Sequence, residues 1–230
     1  MVLAACRLLL HWGCRFSAEK IQLGAVADCI EKAKAEGKGA FFCMPPAAGE
    51  DSSALQTFMA VQNCETIDGK GITQKKIQGT PIEEVMEDVR KQVVNAMKHG
   101  KTLYIDLRNG APGLTTDYSS DDKFPLEIWG ATDHTKVALT VDVYSPTNTA
   151  HERPNCSSVR VCICFAQCEE LIAKIVLDDE KESGMFVAKE GYNLVLSSSF
   201  QIDDYKEFLD GAQTVPWDKV LAFEVEAVAE

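Results

Sequence analysis

A helix followed by a strand is the clearest hydrophobic pattern in the chain. Apolar residues recur at helical spacing over residues 82–97, and a continuous apolar run follows at 103–105. The Thr-Pro-Ile-Glu sequence at 80–83 predicts a capping box with Thr80 as the N-cap, and Gly100 predicts the helix end. The apolar run is typical of a strand buried on both faces. Together they predict half of a βαβ unit.

The residues before this pair contain further helices and strands. Apolar periodicity predicts a helix at 21–36, and a short apolar run predicts a buried strand at 40–44. Asp51 or Ser52 can cap the next helix, which carries Leu55 and Phe58. A brief edge strand is predicted at 65–67, and a polar connection punctuated by glycine is predicted at 69–79.

The second half is richer in strand patterns. Residues 108–136 form a long loop or contact segment, held to the body by Phe124, Leu126, Ile128 and Trp129. Strands are predicted at 137–145, 159–165, 191–200 and 220–230, the last of them exposed. A helix is predicted at 202–212, and either a helix or a strand at 169–177. The pattern predicts an α/β fold with a mostly parallel sheet flanked by helices and antiparallel additions in the C-terminal half.

The predicted domain organisation has two parts. Residues 1–20 form an N-terminal helical extension, and residues 21–230 form a single α/β domain. The first segment holds Arg7, Arg15 and Lys20 with no acid before Glu19. It therefore has a second interpretation as an organelle presequence, which would make the protein an accessory subunit of a mitochondrial complex.

Composition narrows the function classes. The 230 residues carry a formal net charge of −12, which disfavours a nucleic-acid surface and an anionic membrane as partners. The same charge suits a basic protein partner. The apolar runs all fall short of the roughly 20 residues that span a bilayer.

The cysteines and histidines do not form a metal pattern. The nine cysteines are odd in number, and the group Cys156, Cys162, Cys164 and Cys168 lacks a Cys-x-x-Cys pair. His134 and His151 have no partner at a metal-ligand spacing. We interpret the cysteines as reduced, buried side chains of an intracellular protein, and we predict neither a metal nor a cofactor.

The position where a phosphate-binding loop would lie has unsuitable chemistry. The first long strand leads into 44–58, where Pro45 and Pro46 remove amide donors and Glu50 and Asp51 add negative charge. The Gly-Lys-Thr sequence at 100–102 ends a helix and starts a strand, which is the reverse of a phosphate loop.

Asp106 ends the buried strand where a Mg²⁺-binding carboxylate would lie in a nucleotide hydrolase, but Leu107 follows in place of a catalytic Glu. We favour Asp106 as a polar strand end that orders the following loop. The serines at 197–199 lack the Gly-x-Ser-x-Gly elbow of a hydrolase, and the acids at 83–88 complement the helix dipole. No residue is therefore nominated as catalytic, cofactor-binding or metal-binding.

Four stretches together resemble one family. They are GKGAFFCMPPAAGEDSSALQTF (37–58), EDVRKQVVNAMKHGKTLYIDLRNGAPGL (87–114), VRVCICFAQCEEL (159–171) and YNLVLSSSFQIDDY (192–205). Their order of strands, loops and helices is similar to the fifth AAA+ module of dynein heavy chains, which has lost its Walker motifs. The chain departs from that module at 44–46 and 107–110. The resemblance implies a degenerate P-loop or AAA-like domain, and it carries over no functional residue.

The expectation for function follows from the resemblance and the missing phosphate chemistry. It is a non-enzymatic structural or docking protein of a larger cytoplasmic assembly, with the axoneme of a cilium or flagellum as one setting. Its partners are other proteins, contacted through the 108–136 loop or the acidic surface. The alternative is a nucleotide-binding module or weak NTPase with an unorthodox loop at 45–53.

Overall fold

A computed structural model describes residues 18–47, 49–130, 171–181, 186–189 and 191–226. The strands are β1 (Glu19–Gln22), β2 (Gly39–Cys43), β3 (Cys64–Asp68), β4 (Thr102–Arg108), β5 (Asn193–Ser198) and β6 (Val220–Glu226). The helices are α1 (Val26–Ala35), α2 (Ala54–Ala60), α3 (Gly69–Ile77), α4 (Ile82–His99) and α5 (Tyr205–Gly211). Residues 171–175 are also helical.

The six strands form one sheet in the order β1-β6-β2-β5-β4-β3, and every pairing is parallel. The α/β class with a parallel sheet flanked by helices is confirmed, and it is consistent with a Rossmann-like or P-loop-like fold. The expected antiparallel additions are wrong for the strands that the structure describes, because β5 and β6 both pair in parallel. The strands predicted at 137–145 and 159–165 lie outside the described residues.

Two hydrophobic cores lie on opposite faces of the sheet. Successive residues of β2 alternate between them, since Phe41 packs in one core and Phe42 in the other. The larger core contains the inward faces of α3, α4 and α5, and the smaller contains those of α1 and α2. All five residues of β2 are buried, as a parallel strand covered on both faces requires.

The central helix and strand agree with the sequence pattern. The periodic apolar residues of α4 are buried except Ile82, whose exposed fraction is 43%. Gly100 has a left-handed φ of 62° and ends the helix as predicted. The predicted Thr80 cap is wrong, because Pro81 occupies the N-cap and no side chain caps it.

Two predicted elements differ near the sheet edges. The helix expected at 21–36 begins only at Val26, because Glu19–Gln22 pair with β6 as strand β1. This strand crosses the predicted boundary between residues 20 and 21, while residues 1–17 lie outside the described residues. The connection expected at 69–79 is mostly helix α3, since Asp68 accepts a hydrogen bond from the Gly71 amide and caps a first turn that contains two glycines.

The C-terminal half contains one further correction. The strand at 220–230 was predicted to be exposed, but β6 lies between β1 and β2, and Phe223 and Val225 are buried. Its alternating pattern reflects charged residues near one strand end, where Glu224 and Glu226 lie. In the described part of the long loop, Phe124, Ile128 and Trp129 are buried as predicted, whereas Leu126 is exposed.

Arg90 on α4 is the most buried charged side chain among the described residues, with an exposed fraction of 2%. Its guanidinium donates to both carboxylate oxygens of Glu87 at 2.9 and 2.7 Å, and to both of Glu180 at 2.7 and 2.8 Å. It also donates to the carbonyl of Ile175 at 2.7 Å. Arg90 thus fixes the 171–181 segment to α4.

We expect Arg90→Met to lower the free energy of unfolding by about 3 kcal/mol, because two partly buried carboxylates and a buried carbonyl lose their donor. Urea denaturation at pH 7 measures the change. Lys91→Met is the matched control, since Lys91 is 61% exposed and reaches Glu87 only at 3.9 Å. The control should stay within about 0.5 kcal/mol of the wild type. Equal losses in the two variants would contradict a special role for Arg90.

The same cluster predicts acid sensitivity. Hydrogen bonds from Arg90 hold the pKa of Glu87 and of Glu180 below their ordinary value of 4.5. A carboxylate whose pKa is lower in the folded state contributes stability that is fully present above its unfolded pKa and is lost as the pH falls through its folded pKa. We expect the wild type to lose more unfolding free energy than Arg90→Met below pH 4.5. Parallel curves in urea series from pH 6 to pH 3 would contradict this.

Candidate functional site

Parallel α/β folds bind ligands in a crevice at the carboxyl edge of the sheet. Strands β2 and β5 are neighbours, but β2 leads to α2 on one face and β5 leads to α5 on the other. This divergence makes a topological switch point, which is the general ligand position in such sheets. The side chains that meet there come from the ends of β4 and β5 and from the first turn of α2.

The Asp106 carboxylate is the centre of this crevice, and the residue is 6% exposed. Both of its oxygens accept from Gln56 Nε2 at 3.0 Å. Oδ1 also accepts from Ser197 Oγ at 3.3 Å and from the Arg108 amide at 3.3 Å. Oδ2 accepts from Arg108 Nε at 3.2 Å. Three separate chain segments therefore donate to one carboxylate.

Gln56 reaches Asp106 because its helix position is fixed by a capping box. Ser53 is the N-cap of α2: its Oγ accepts from the Gln56 amide at 3.4 Å, and its own amide donates to Gln56 Oε1 at 2.8 Å. The Gln56 amide oxygen is thus held by the cap, which leaves its Nε2 directed at Asp106. The sequence prediction placed the cap at Asp51 or Ser52, one or two residues too early.

Ser197 connects Asp106 to Tyr104 through two successive hydrogen bonds. Tyr104 OH lies 2.6 Å from Ser197 Oγ, so the tyrosine donates to the serine and the serine donates to Asp106. Burial raises the pKa of Tyr104, and the charge of Asp106 raises it further. The tyrosine is therefore a neutral donor at physiological pH. This chain of hydrogen bonds links neighbouring strands β4 and β5 at their ends.

The occupied carboxylate is poorly suited to hold Mg²⁺. A carboxylate has about four lone-pair sites, and the five contacts from Gln56, Ser197 and Arg108 account for all of them. Mg²⁺ prefers oxygen ligands in octahedral array, whereas four of the five contacts to Asp106 come from nitrogen donors. The adjacent guanidinium also repels a cation. The geometry agrees with Asp106 as a strand end that orders its own loop.

The turn after Asp106 is tightly packed. Arg108 has a left-handed φ of 49°, and its carbonyl accepts from the Ser199 amide at 2.7 Å. A Cβ at Gly69 would lie 2.9 Å from the Leu107 side chain, and one at Gly110 would lie 3.1 Å from the Lys70 backbone. Glycine at both positions lets the loop after β4 rest directly on the first turn of α3.

Two of the amides that a phosphate group could use after β2 are already bonded. The amides of Ser53 and Gln56 at the start of α2 both bond to side chains of the capping box. Glu50 and Asp51 are exposed beside them, where they would repel a phosphate. The prediction that this position does not bind phosphate stays a prediction.

The Gly-Lys-Thr sequence and the described histidine lie far from the carboxyl edge of the sheet. Lys101 and Thr102 lie at the opposite, amino edge of the sheet, next to the helix stop at Gly100. His99, the only described histidine, lies at the same edge, so no Ser–His pair forms among the described residues. In that part of the chain no group of three metal-ligating side chains occurs, and no helix is long and apolar enough to cross a bilayer.

Three of the nine cysteines are described, and all three are free thiols. Cys29 and Cys43 are buried, and Cys64 is half-buried. Burial raises the pKa of Cys43 to about 12 and that of Cys64 to about 11, so both are protonated and weakly reactive. Cys156, Cys162, Cys164, Cys168, His134 and His151 lie outside the described residues.

Sequence reasoning overlooked Gln56, Arg108 and Arg90. The Ser-x-x-Gln spacing of 53–56 is a capping-box signal that could have identified Gln56 as a fixed side chain. Its contact with Asp106 spans 50 residues, and no local pattern encodes that separation.

Comparison with known proteins finds no matching family model, curated protein or solved structure. The resemblance to the dynein module therefore stays a prediction, and the class that the fold defines is an α/β protein with an all-parallel six-stranded sheet.

We expect Gln56→Ala to lower the free energy of unfolding by about 2 kcal/mol, because the buried Asp106 carboxylate loses two contacts and Ser53 loses its reciprocal cap. Thermal and urea denaturation measure the change. Gln74→Ala on the exposed surface of α3 is the matched control and should change stability by less than about 0.5 kcal/mol. A loss no larger than that of the control would show that the carboxylate does not depend on Gln56.

Proposed function

We propose that this chain is a non-enzymatic structural or docking protein of a larger intracellular assembly, on an AAA-like scaffold whose nucleotide site is deficient. The observation that carries the proposal is the saturation of Asp106 by Gln56, Ser197 and Arg108. In a nucleotide hydrolase the carboxylate at this strand end must be free for Mg²⁺. Here protein donors occupy that position.

The phosphate side of the crevice supports the same proposal. Two of the amide groups at the start of α2, those of Ser53 and Gln56, are taken by the capping box, and exposed Glu50 and Asp51 lie beside them. Phosphate binding depends on free backbone amides and positive charge at a helix start. A Mg²⁺–nucleotide complex would therefore meet an occupied carboxylate and a helix start with fewer free amides and more negative charge than is usual.

The long loop supports the docking part of the proposal. Residues 109–130 consist of turns and a 3-10 helix (Leu126–Gly130). Ion pairs attach them to the body: Lys76 pairs with Asp117 at 2.5 Å, Lys123 with Glu83 at 2.5 Å, and Lys174 with Glu127 at 3.0 Å. A preorganised loop loses little conformational entropy on binding a partner. The net charge of −12 favours a basic partner. Residence in a ciliary axoneme belongs to the same proposal and rests on the resemblance alone.

Calorimetric titration of the purified full chain with ATP, ADP and GTP in Mg²⁺ tests the missing nucleotide site. We expect no heat of binding and no thermal shift at millimolar nucleotide, because neither the metal nor the phosphates find free ligands. Asp106→Asn should give the same result, while it lowers the melting temperature. Its matched control for nonspecific effects is Asp88→Asn, on the exposed surface of α4.

Micromolar nucleotide binding that Asp106→Asn abolishes would overturn the proposal in favour of a nucleotide-binding module. The docking part is tested separately by the native mass of the tagged endogenous chain. We expect it to migrate with an assembly much larger than its own 25.2 kDa. Migration as a lone monomer in gentle lysates would contradict an assembly role.

A further inference from the structure

The turn between α3 and α4 exposes two isoleucines. Ile77, the last residue of α3, is 82% exposed, and Ile82, the first of α4, is 43% exposed. Residues 78–81 join them, with Gly79 at a left-handed φ of 79°. We call Ile77, Ile82 and this turn the hairpin tip. The exposed apolar surface of both side chains would be removed from water if a partner covered the turn.

The hairpin below the tip is braced. Lys75 on α3 pairs with Asp88 on α4 at 2.9 Å, across a groove with Ile72 and Val89 in its lining. Both of these apolar side chains are buried, at 5% and 4% exposure. The two helices therefore hold the tip in one arrangement, and the exposed isoleucines belong to a fixed surface.

The long loop lies beside both arms of this hairpin. Lys76, next to Ile77, pairs with Asp117 of the loop, and Glu83, next to Ile82, pairs with Lys123. Asp121 and Asp122 lie on the loop between these two ion pairs and are exposed. The tip and the loop segment 117–123 therefore form one continuous surface.

This surface carries more acidic than basic side chains. Its carboxylates are Glu83, Glu84, Asp117, Asp121 and Asp122, while its ammonium groups are Lys76 and Lys123. Five negative and two positive charges leave an excess of three negative charges. An apolar centre with an acidic surround is complementary to an apolar recess rimmed by Lys and Arg.

We propose that the hairpin tip, with loop segment 117–123, is the docking surface of the chain, and that its occupant is a basic protein segment that buries Ile77 and Ile82. This inference rests on the proposed docking function and names the surface and the chemistry of the partner. The isoleucines supply affinity, and the carboxylates supply attraction and orientation.

The test uses the full chain and a fluorescein-labelled amphipathic helical peptide of leucine and lysine as the probe. We expect binding at low salt that weakens as salt rises, because the carboxylates contribute.

The double variant Ile77→Ser/Ile82→Ser should raise Kd at least about tenfold. Asp121→Asn/Asp122→Asn should raise it about threefold at low salt. Val61→Ser is the matched control: Val61 is 78% exposed at the end of α2, on the other face of the sheet, and Kd should not change.

Equal Kd values for the wild type and the isoleucine variant would overturn the proposal, as would absence of binding or equal binding of a leucine–glutamate peptide. Sedimentation of the wild type as a dimer that the isoleucine variant dissociates would assign the tip to a second copy, and would also overturn it. These failures differ from failure of the proposed function, which appears as a monomeric native chain. An intact native assembly with an unaffected isoleucine variant would leave docking standing and exclude this surface.

Discussion

The carboxylate of Asp106 joins the ends of two parallel strands to the helix that begins after a third. Three side chains donate hydrogen bonds to it: Gln56 from the helix after β2, Arg108 from the turn after β4, and Ser197 from the end of β5. A buried charge is costly unless it is fully hydrogen-bonded, so these contacts must form together. The carboxyl edge is therefore a structural centre in which the Asp106 carboxylate is already paired with protein donors.

The contacts of Asp106 show how side chains at the usual ligand position of an α/β fold can bond to one another. The switch point between β2 and β5 follows from the strand order and from right-handed connections, whatever side chains line it. Function depends on those side chains, and here they bond to one another. The exposed acids at Glu50 and Asp51 add repulsion where a phosphate would lie. A docking role needs only the rigid scaffold that these contacts stabilise.

The α3–α4 hairpin and the long loop are held in place by ion pairs and hydrogen bonds. Arg90 fixes the 171–181 segment to α4, and α4 in turn forms one arm of the hairpin that presents Ile77 and Ile82. The long loop is attached to both hairpin arms by ion pairs. Such exposed pairs contribute little to global stability, but they set the relative position of the loop and the tip. The proposed docking surface thus combines segments that are about 40 residues apart in sequence.

The sequence by itself determined the elements whose signals are local. The periodicity of α4, its stop at Gly100, and the apolar runs of β2, β4 and β5 are contiguous patterns, and a contiguous pattern specifies backbone conformation directly. Only the tertiary structure decided the parallel direction of the C-terminal strands, the edge position of β1 and the partners of Asp106. Gln56 and Ser197 are 50 and 91 residues from Asp106, and side chains this far apart meet only once the sheet order has been set by burial of both its faces.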